Sequence, residues 1–165
     1  MNWLNIISPS NVPLDGEALL QFEQELGGRL PSDYREFLFS CNGGKITAKH
    51  TFETKICDYA EDDISLSYLL PLSKKNPLSG GVIECRTGRY KDKVGIERAI
   101  EIGDDGGTGF FFLMLSQRFF GQVYFTWKDV IQSNSPDWRA GVEMMPDYMG
   151  LVGTSFTDFG ERIQK

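Results

Sequence analysis

One histidine, three cysteines and two groups of adjacent carboxylates are the residues of this chain that could do chemistry. His50 is the only imidazole, so any Ser-His-Asp or Cys-His pair must use it. It stands in Lys49-His50-Thr51, near no glycine-flanked nucleophile, and reads as a surface histidine at a strand end. Cys41, Cys57 and Cys85 with His50 would supply four zinc ligands. Structural zinc sites are built on close cysteine pairs, and the chain has no Cys-x-x-Cys. An odd number of widely spaced cysteines fits reduced thiols in a reducing compartment. No metal and no cofactor are expected, and no residue is assigned a catalytic role.

The stretch Gly103-Asp104-Asp105-Gly106-Gly107-Thr108-Gly109 invites comparison with a phosphate loop. It lacks the Gly-x-x-x-x-Gly-Lys-Ser/Thr order, and its two aspartates would repel a phosphate. It also misses the spacing of a calcium loop. It reads instead as a glycine-rich turn between two antiparallel strands.

The acids concentrate in Asp58-Tyr59-Ala60-Glu61-Asp62-Asp63, expected to be a loop between two strands, and in Asp104-Asp105. A glycosidase needs two acids facing each other across a cleft, whereas adjacent acids in polar segments form solvated faces. The net charge is −6 and the pI about 4.8. Nucleic-acid binding needs a cationic face, so it is not expected. A negative surface suits a basic partner, and it also keeps a protein soluble.

These residues must be held by something. The chain has 165 residues, 41% of them hydrophobic and 13% aromatic. It is long enough for one domain, residues 1–165, that buries about 70% of its unfolded surface without metal or disulfide. Phe110-Phe111-Phe112-Leu113-Met114-Leu115 is the longest apolar run, far short of a membrane span. Met1 to Pro9 has no positive region and too short an apolar core for a signal peptide, so a cytoplasmic location is expected.

Pro13 to Leu26 predicts a first helix, with Asp15 as N-cap and Gly27-Gly28 as its end. Leu19, Leu20, Phe22 and Leu26 are its expected apolar residues, and Glu17, Gln21, Glu23 and Gln24 its solvent face. A second helix starts at Pro31, with Asp33 in its first turn. Tyr34, Phe37, Leu38 and Cys41 keep the i, i+3, i+4, i+7 spacing of one buried face, so Cys41 is a small hydrophobe there. Asn42-Gly43-Gly44 stops the helix. Short strands are expected at Ile46–His50, Phe52–Cys57, Ile64–Leu70, Ala99–Ile102, Phe110–Leu115 and Gly121–Trp127. Leu78 to Lys93 predicts a short helix, and Ser133 to Met149 a weakly patterned loop. Phe156, Phe159 and Ile163 form the stripe of a closing helix, with Ser155 and Asp158 at capping-box spacing.

Leu30-Pro31-Ser32-Asp33-Tyr34-Arg35-Glu36-Phe37-Leu38 ending at Asn42-Gly43-Gly44 resembles the opening motif of the SUKH superfamily. That superfamily takes in bacterial toxin-immunity proteins and fungal regulators of cell-wall synthesis. The Ile100-to-Gly109 turn with its aromatic strand and the closing Ser-Phe-x-x-Phe helix recur in the family's order. The likeness runs from about Leu30 to Ile163 and is weak between Lys45 and Lys93. It implies an α+β fold, a curved, mostly antiparallel sheet of about six strands with helices packed on it. It implies a protein that binds a cognate toxin domain, such as a nuclease or another polymorphic toxin, and blocks it. Charge then places the contacts at Asp58, Tyr59, Glu61, Asp62 and Asp63, with Tyr59 as aromatic anchor, and at Asp104 and Asp105. The alternatives are a regulatory scaffold like the fungal branch, and a small-ligand binder with a pocket beside Trp127.

Overall fold

The computed structural model describes residues 2–47, 51–56, 59–73, 99–127 and 149–163. A 3-10 turn at Trp3–Asn5 leads into strand β1 (Ile7–Pro9) and helices α1 (Gly16–Leu26) and α2 (Ser32–Cys41). Strands β2 (Gly44–Ile46), β3 (Thr51–Ile56), β4 (Tyr59–Ser65) and β5 (Tyr68–Leu69) follow. Then come β6 (Ala99–Asp104), β7 (Gly109–Met114), β8 (Val123–Trp127), β9 (Gly150–Gly153) and helix α3 (Phe156–Ile163). The fold is α+β, as expected. The main sheet has seven strands rather than about six, in the order β1-β2-β5-β6-β7-β8-β9, and every pairing is antiparallel. It is open, and β3 and β4 form a separate hairpin.

The helices pack on one face of this sheet. Leu19, Phe22, Phe37, Leu38, Phe156 and Phe159 share a core with Ile100, Phe111, Leu113, Val123, Phe125 and Val152. Phe110, Phe112, Met114, Tyr124 and Thr126, on the alternate positions of β7 and β8, are buried too. The uninterrupted apolar run of β7 is therefore that of a strand covered on both faces. β1, at one end of the sheet, is short and ends on Pro9, which lacks a donor to offer another chain.

Helix α1 has the expected caps. Asp15 Oδ1 accepts from Glu17 N at 2.9 Å, and Gly27 takes the left-handed conformation at φ 70°. Two of its side chains depart from the expected faces. Leu20 is 57% exposed, because the buried stripe runs through Leu19, Phe22 and Glu23, and Leu20 lies off it. Glu23 is buried instead of solvent-facing. Its Oε1 accepts from Leu30 N at 2.8 Å and lies 3.5 Å from Arg35 Nε. The carboxylate satisfies a backbone donor that the helix-to-helix link would otherwise leave unpaired.

Tyr34, Phe37, Leu38 and Cys41 of α2 are all buried, as their spacing predicts. Burial pushes the Cys41 thiol up, away from the reactive thiolate, more than its hydrogen bonds to Ser40 and Gly43 bring it down. Burial likewise holds the Tyr34 phenol well above its ordinary range. Asp33 does more than answer the helix dipole. Its Oδ2 accepts from Thr157 N at 2.9 Å, so one carboxylate serves the first turns of α2 and α3. Ser155 Oγ accepts from Asp158 N at 3.0 Å, one half of a capping box. The Asp158 carboxylate reaches one residue further back than the box requires, to Thr154 N at 2.8 Å. Four rings surround Phe156: Trp3 and Tyr34 at 4.8 Å between centroids, Phe37 at 4.9 Å and Phe159 at 5.8 Å.

The end of α2 is tied to two other parts of the chain. Asn42 is buried and left-handed, at φ 42°. Its Nδ2 donates to Val12 O at 3.0 Å, and its Oδ1 accepts from Leu72 N at 2.9 Å. Its carbonyl accepts from Ser10 Oγ at 2.7 Å. Gly43 and Gly44 follow at φ 80° and 142°. A Cβ on Gly43 would stand 2.5 Å from Leu69 O, and one on Gly44 would collide with Ser8 O, so both positions need glycine.

Asn42→Ala should therefore destabilise the protein by about 3 kcal/mol, from the buried Leu72 N–H left unpaired, the bond lost at the half-buried Val12 carbonyl and a strained left-handed alanine. Asn42→Gly removes the strain but not the lost bonds and should cost about 2 kcal/mol. Urea denaturation followed by tryptophan fluorescence measures both. Equal losses below about 0.5 kcal/mol would mean that the amide is not a structural tie.

Candidate partner-binding surface

The sequence predicts Asp58 to Asp63 to be a loop. Tyr59 to Asp63 instead belong to β4, paired with β3 in the register Thr51–Ser65, Phe52–Ile64, Glu53–Asp63, Thr54–Asp62 and Ile56–Tyr59. Acidic residues are poor strand formers, but pairing with Thr51–Ile56 overrides that propensity. Asp58 lies outside the described residues, as do His50, Cys57, Cys85, Leu78 to Lys93 and Ser133 to Asp147. The strand expected over Ile46–His50 is observed as Gly44–Ile46. The segment expected as one strand over Ile64–Leu70 breaks at Leu66-Ser67 between β4 and β5.

This correction changes which acids can act together. Residues directly opposite in an antiparallel pair share a face, and successive residues alternate. Thr54 and Ile64 are buried, and Ile64 joins the main core. Positions 52, 54, 62 and 64 therefore form the inner face of the hairpin. Glu53 and Asp63, opposite each other, stand at positions of the other face, and Asp62 is opposite Thr54; the register shifts between Thr54 and Ile56, so the alternation does not carry on to Glu61 and Tyr59. Glu53, which the sequence reading passed over, is directly opposite Asp63. The alternation in Thr51-Phe52-Glu53-Thr54 was the signal available, but the register was needed to use it. Two like charges facing across a strand pair are unfavourable in the free protein.

Three contacts hold this hairpin to the body. Thr54 Oγ1 donates to Leu151 O of β9 at 3.2 Å. A Cβ on Gly150 would collide with Thr54 Oγ1, so β3 lies close against β9. At the base, Ile46 N donates to Ser67 O at 3.0 Å, which closes the excursion between β2 and β5.

Asp104 and Asp105 lie where the sequence expects, at the end of β6 and in the turn before β7. The turn is built around Asp105. Its Oδ1 accepts from Gly107 N at 2.9 Å, Thr108 N at 2.8 Å and Gly109 N at 2.9 Å, and its Oδ2 from Thr108 Oγ1 at 2.8 Å. Partial burial raises the Asp105 carboxyl, but these bonds outweigh it and leave the group below its ordinary range. Asp104 Oδ1 accepts from Gly106 N at 2.9 Å. The amides that a phosphate loop would present are thus used inside the turn. Ser67 joins turn and hairpin, because its N donates to Asp104 O at 2.9 Å and its Oγ to Asp105 O at 2.8 Å. Asp63 is four residues before Ser67, so about 13 Å of extended chain separates Asp63 from the residue that meets the turn.

Among the described residues, no cluster of His, Cys, Asp and Glu is arranged to hold a metal ion. No helix among them is long and apolar enough to cross a membrane.

An open antiparallel sheet with helices on one face, entered through the Leu-Pro-x-Asp-Tyr helix that Asn42 stops, is an α+β protein. The SMI1 / KNR4 family (SUKH-1) model matches residues 13–162, and the chain belongs to that family. No curated protein matched the chain in a sequence comparison. Membership is consistent with an immunity or a regulatory role.

Asp105 is ionised below the ordinary aspartate pKa, so its contribution to stability is complete above about pH 4 and is lost as pH falls further. Asp105→Ala should cost about 1 kcal/mol at pH 7 and remove part of the acid sensitivity seen as pH falls below the ordinary aspartate range. Urea midpoints at pH 7 and pH 3 test this. A variant whose stability loss is the same at both pH values would contradict the assignment.

Proposed function

We propose that this protein is an immunity protein that binds a cognate bacterial toxin domain in the cytoplasm and neutralises it by protein–protein contact, without catalysing a reaction. The observation that carries the reading is membership of the SMI1 / KNR4 (SUKH-1) family. The net charge of −6 supports a basic partner. A nuclease toxin fits, because an active site that attracts phosphates is basic, and an acidic inhibitor reaches it by steered association.

The docking surface in this reading is the acidic β3–β4 hairpin. Glu61 and Asp63 supply charge, Glu53 opposite Asp63 adds to it, and Tyr59 is the aromatic anchor. Asp58 extends the same acidic segment. The Asp104–Asp105 turn is a second contact, lending charge from a rigid support. Asp62, on an inner position, contributes little directly. The family match equally favours a second reading, a regulatory scaffold that binds other proteins as the fungal branch does.

Glu61→Lys and Asp63→Lys should each weaken binding to the toxin domain encoded beside this protein by about tenfold or more, equivalent to about 1.4 kcal/mol. Asp62→Lys should leave affinity within about twofold and lower the melting temperature instead. Calorimetry with purified toxin, and growth of cells producing it, read the outcome. No binding by the unmodified protein at high concentration would overturn the immunity reading in favour of the scaffold.

A further inference from the structure

The chain contains one Asn-Gly pair, Asn42-Gly43, and it stands at the end of α2. Such a pair carries a reaction of its own. The Gly43 nitrogen can attack the Asn42 side-chain carbonyl carbon, because glycine has no Cβ to shield it. The new N–Cγ bond closes a cyclic imide, and the Cγ–Nδ2 bond breaks. The amide nitrogen leaves as ammonia, taking the proton that Gly43 N gives up. Water then opens the imide. Cleavage at Cγ gives aspartate. Cleavage at the main-chain carbonyl gives an isoaspartyl link, in which the backbone runs through the side chain.

The fold requires both members of the pair and holds them away from reaction. Asn42 is required for its two side-chain bonds, Nδ2 to Val12 O at 3.0 Å and Oδ1 from Leu72 N at 2.9 Å. Gly43 is required because a Cβ there would stand 2.5 Å from Leu69 O, so no bulkier residue can slow the attack. Cγ reaches Gly43 N only if the amide turns away from its partners. The Gly43 N–H is itself hydrogen-bonded to the Cys41 thiol. Asn42 is buried, away from the water that ring opening consumes. The same contacts keep the products from returning. An aspartate has no hydrogen to give Val12 O and brings a charge into a buried position. An isoaspartyl link adds a main-chain atom just before Gly43, where there is no room even for a Cβ.

We propose that Asn42-Gly43 is a self-modification site that the native fold keeps silent, so that deamidation makes prolonged unfolding of this protein permanent. Water is the only co-reactant, and ammonia is the only product released. The tie that locks the fold thereby sets how long a chain can stay unfolded and still return.

Peptide mapping by mass spectrometry, on the full-length protein held in mildly alkaline buffer with and without guanidinium, tests this. Deamidation at Asn42 should be about a hundredfold or more slower in the folded protein, because it tracks the open population. Leu19→Ala, a core change on α1, should speed it in native buffer by about tenfold or more. After partial reaction and removal of guanidinium, size exclusion separates refolded from unfolded chains. The refolded chains should carry Asn42 intact, with the acid products confined to the unfolded fraction. Equal rates in folded and unfolded protein, or a rate unchanged in Leu19→Ala, would overturn protection by the fold. Acid products shared equally between the two fractions would overturn permanence.

Discussion

The fold depends on a buried amide at the end of α2. Asn42 sits where the helix must stop, and its side chain spans two backbone groups, Val12 O and Leu72 N, that are distant in sequence. Leu72 N would be buried without a partner if it were absent, a loss of about 1–3 kcal/mol, and the half-buried Val12 carbonyl would keep only its long contact with Ser10 Oγ. The left-handed backbone of Asn42, with Gly43 and Gly44 behind it, turns the chain into β2 in the only space that Leu69 and Ser8 leave. The N-terminal segment, the helix and the chain after β5 are thereby locked together. β2 and β5 become neighbours in the sheet, although the β3–β4 hairpin lies between them in sequence. The base of the acidic hairpin is thus fixed from the end of α2.

Electrostatics and packing divide the carboxylates into two kinds. Glu23, Asp33, Asp105 and Asp158 each accept backbone hydrogen bonds, at a helix link, at two helix starts and in a turn. These acids are committed to the structure. Glu53 and Asp63 stand directly opposite each other in the β3–β4 register, which brings like charges together. Under the proposed function, that placement serves recognition of a basic partner. The distinction matters because net charge alone does not tell a structural carboxylate from a docking one.

The helices were legible in the sequence because each carries both its stripe and its stops. The face Tyr34-Phe37-Leu38-Cys41 and the stop at Asn42 follow from spacing and from residues that enter left-handed backbone cheaply. Leu20 and Glu23 were misplaced because composition dominated the reading, whereas the stripe geometry turns Leu20 outward and Glu23 inward. Glu23 is buried because Leu30 N needs an acceptor, and the sequence does not show that need. The acidic strand was read as a loop because its propensity opposes pairing, which only the partner strand supplies. β9, four residues of Gly-Leu-Val-Gly, was missed, because glycines on both sides of two apolar residues give no period to detect. The acidic segments were visible, but not the alternation that separates Asp62 from its neighbours.

Carboxylate footprinting of the protein, free and bound to the toxin encoded beside it, tests the central claim most directly. Carbodiimide-driven labelling read by mass spectrometry reports each acid separately. The account predicts strong protection of Glu53, Glu61 and Asp63 in the complex, with Glu17 on α1 and Glu161 on α3, both exposed, labelled as in the free protein. Unchanged labelling of the hairpin acids, with protection on the helices instead, would contradict it.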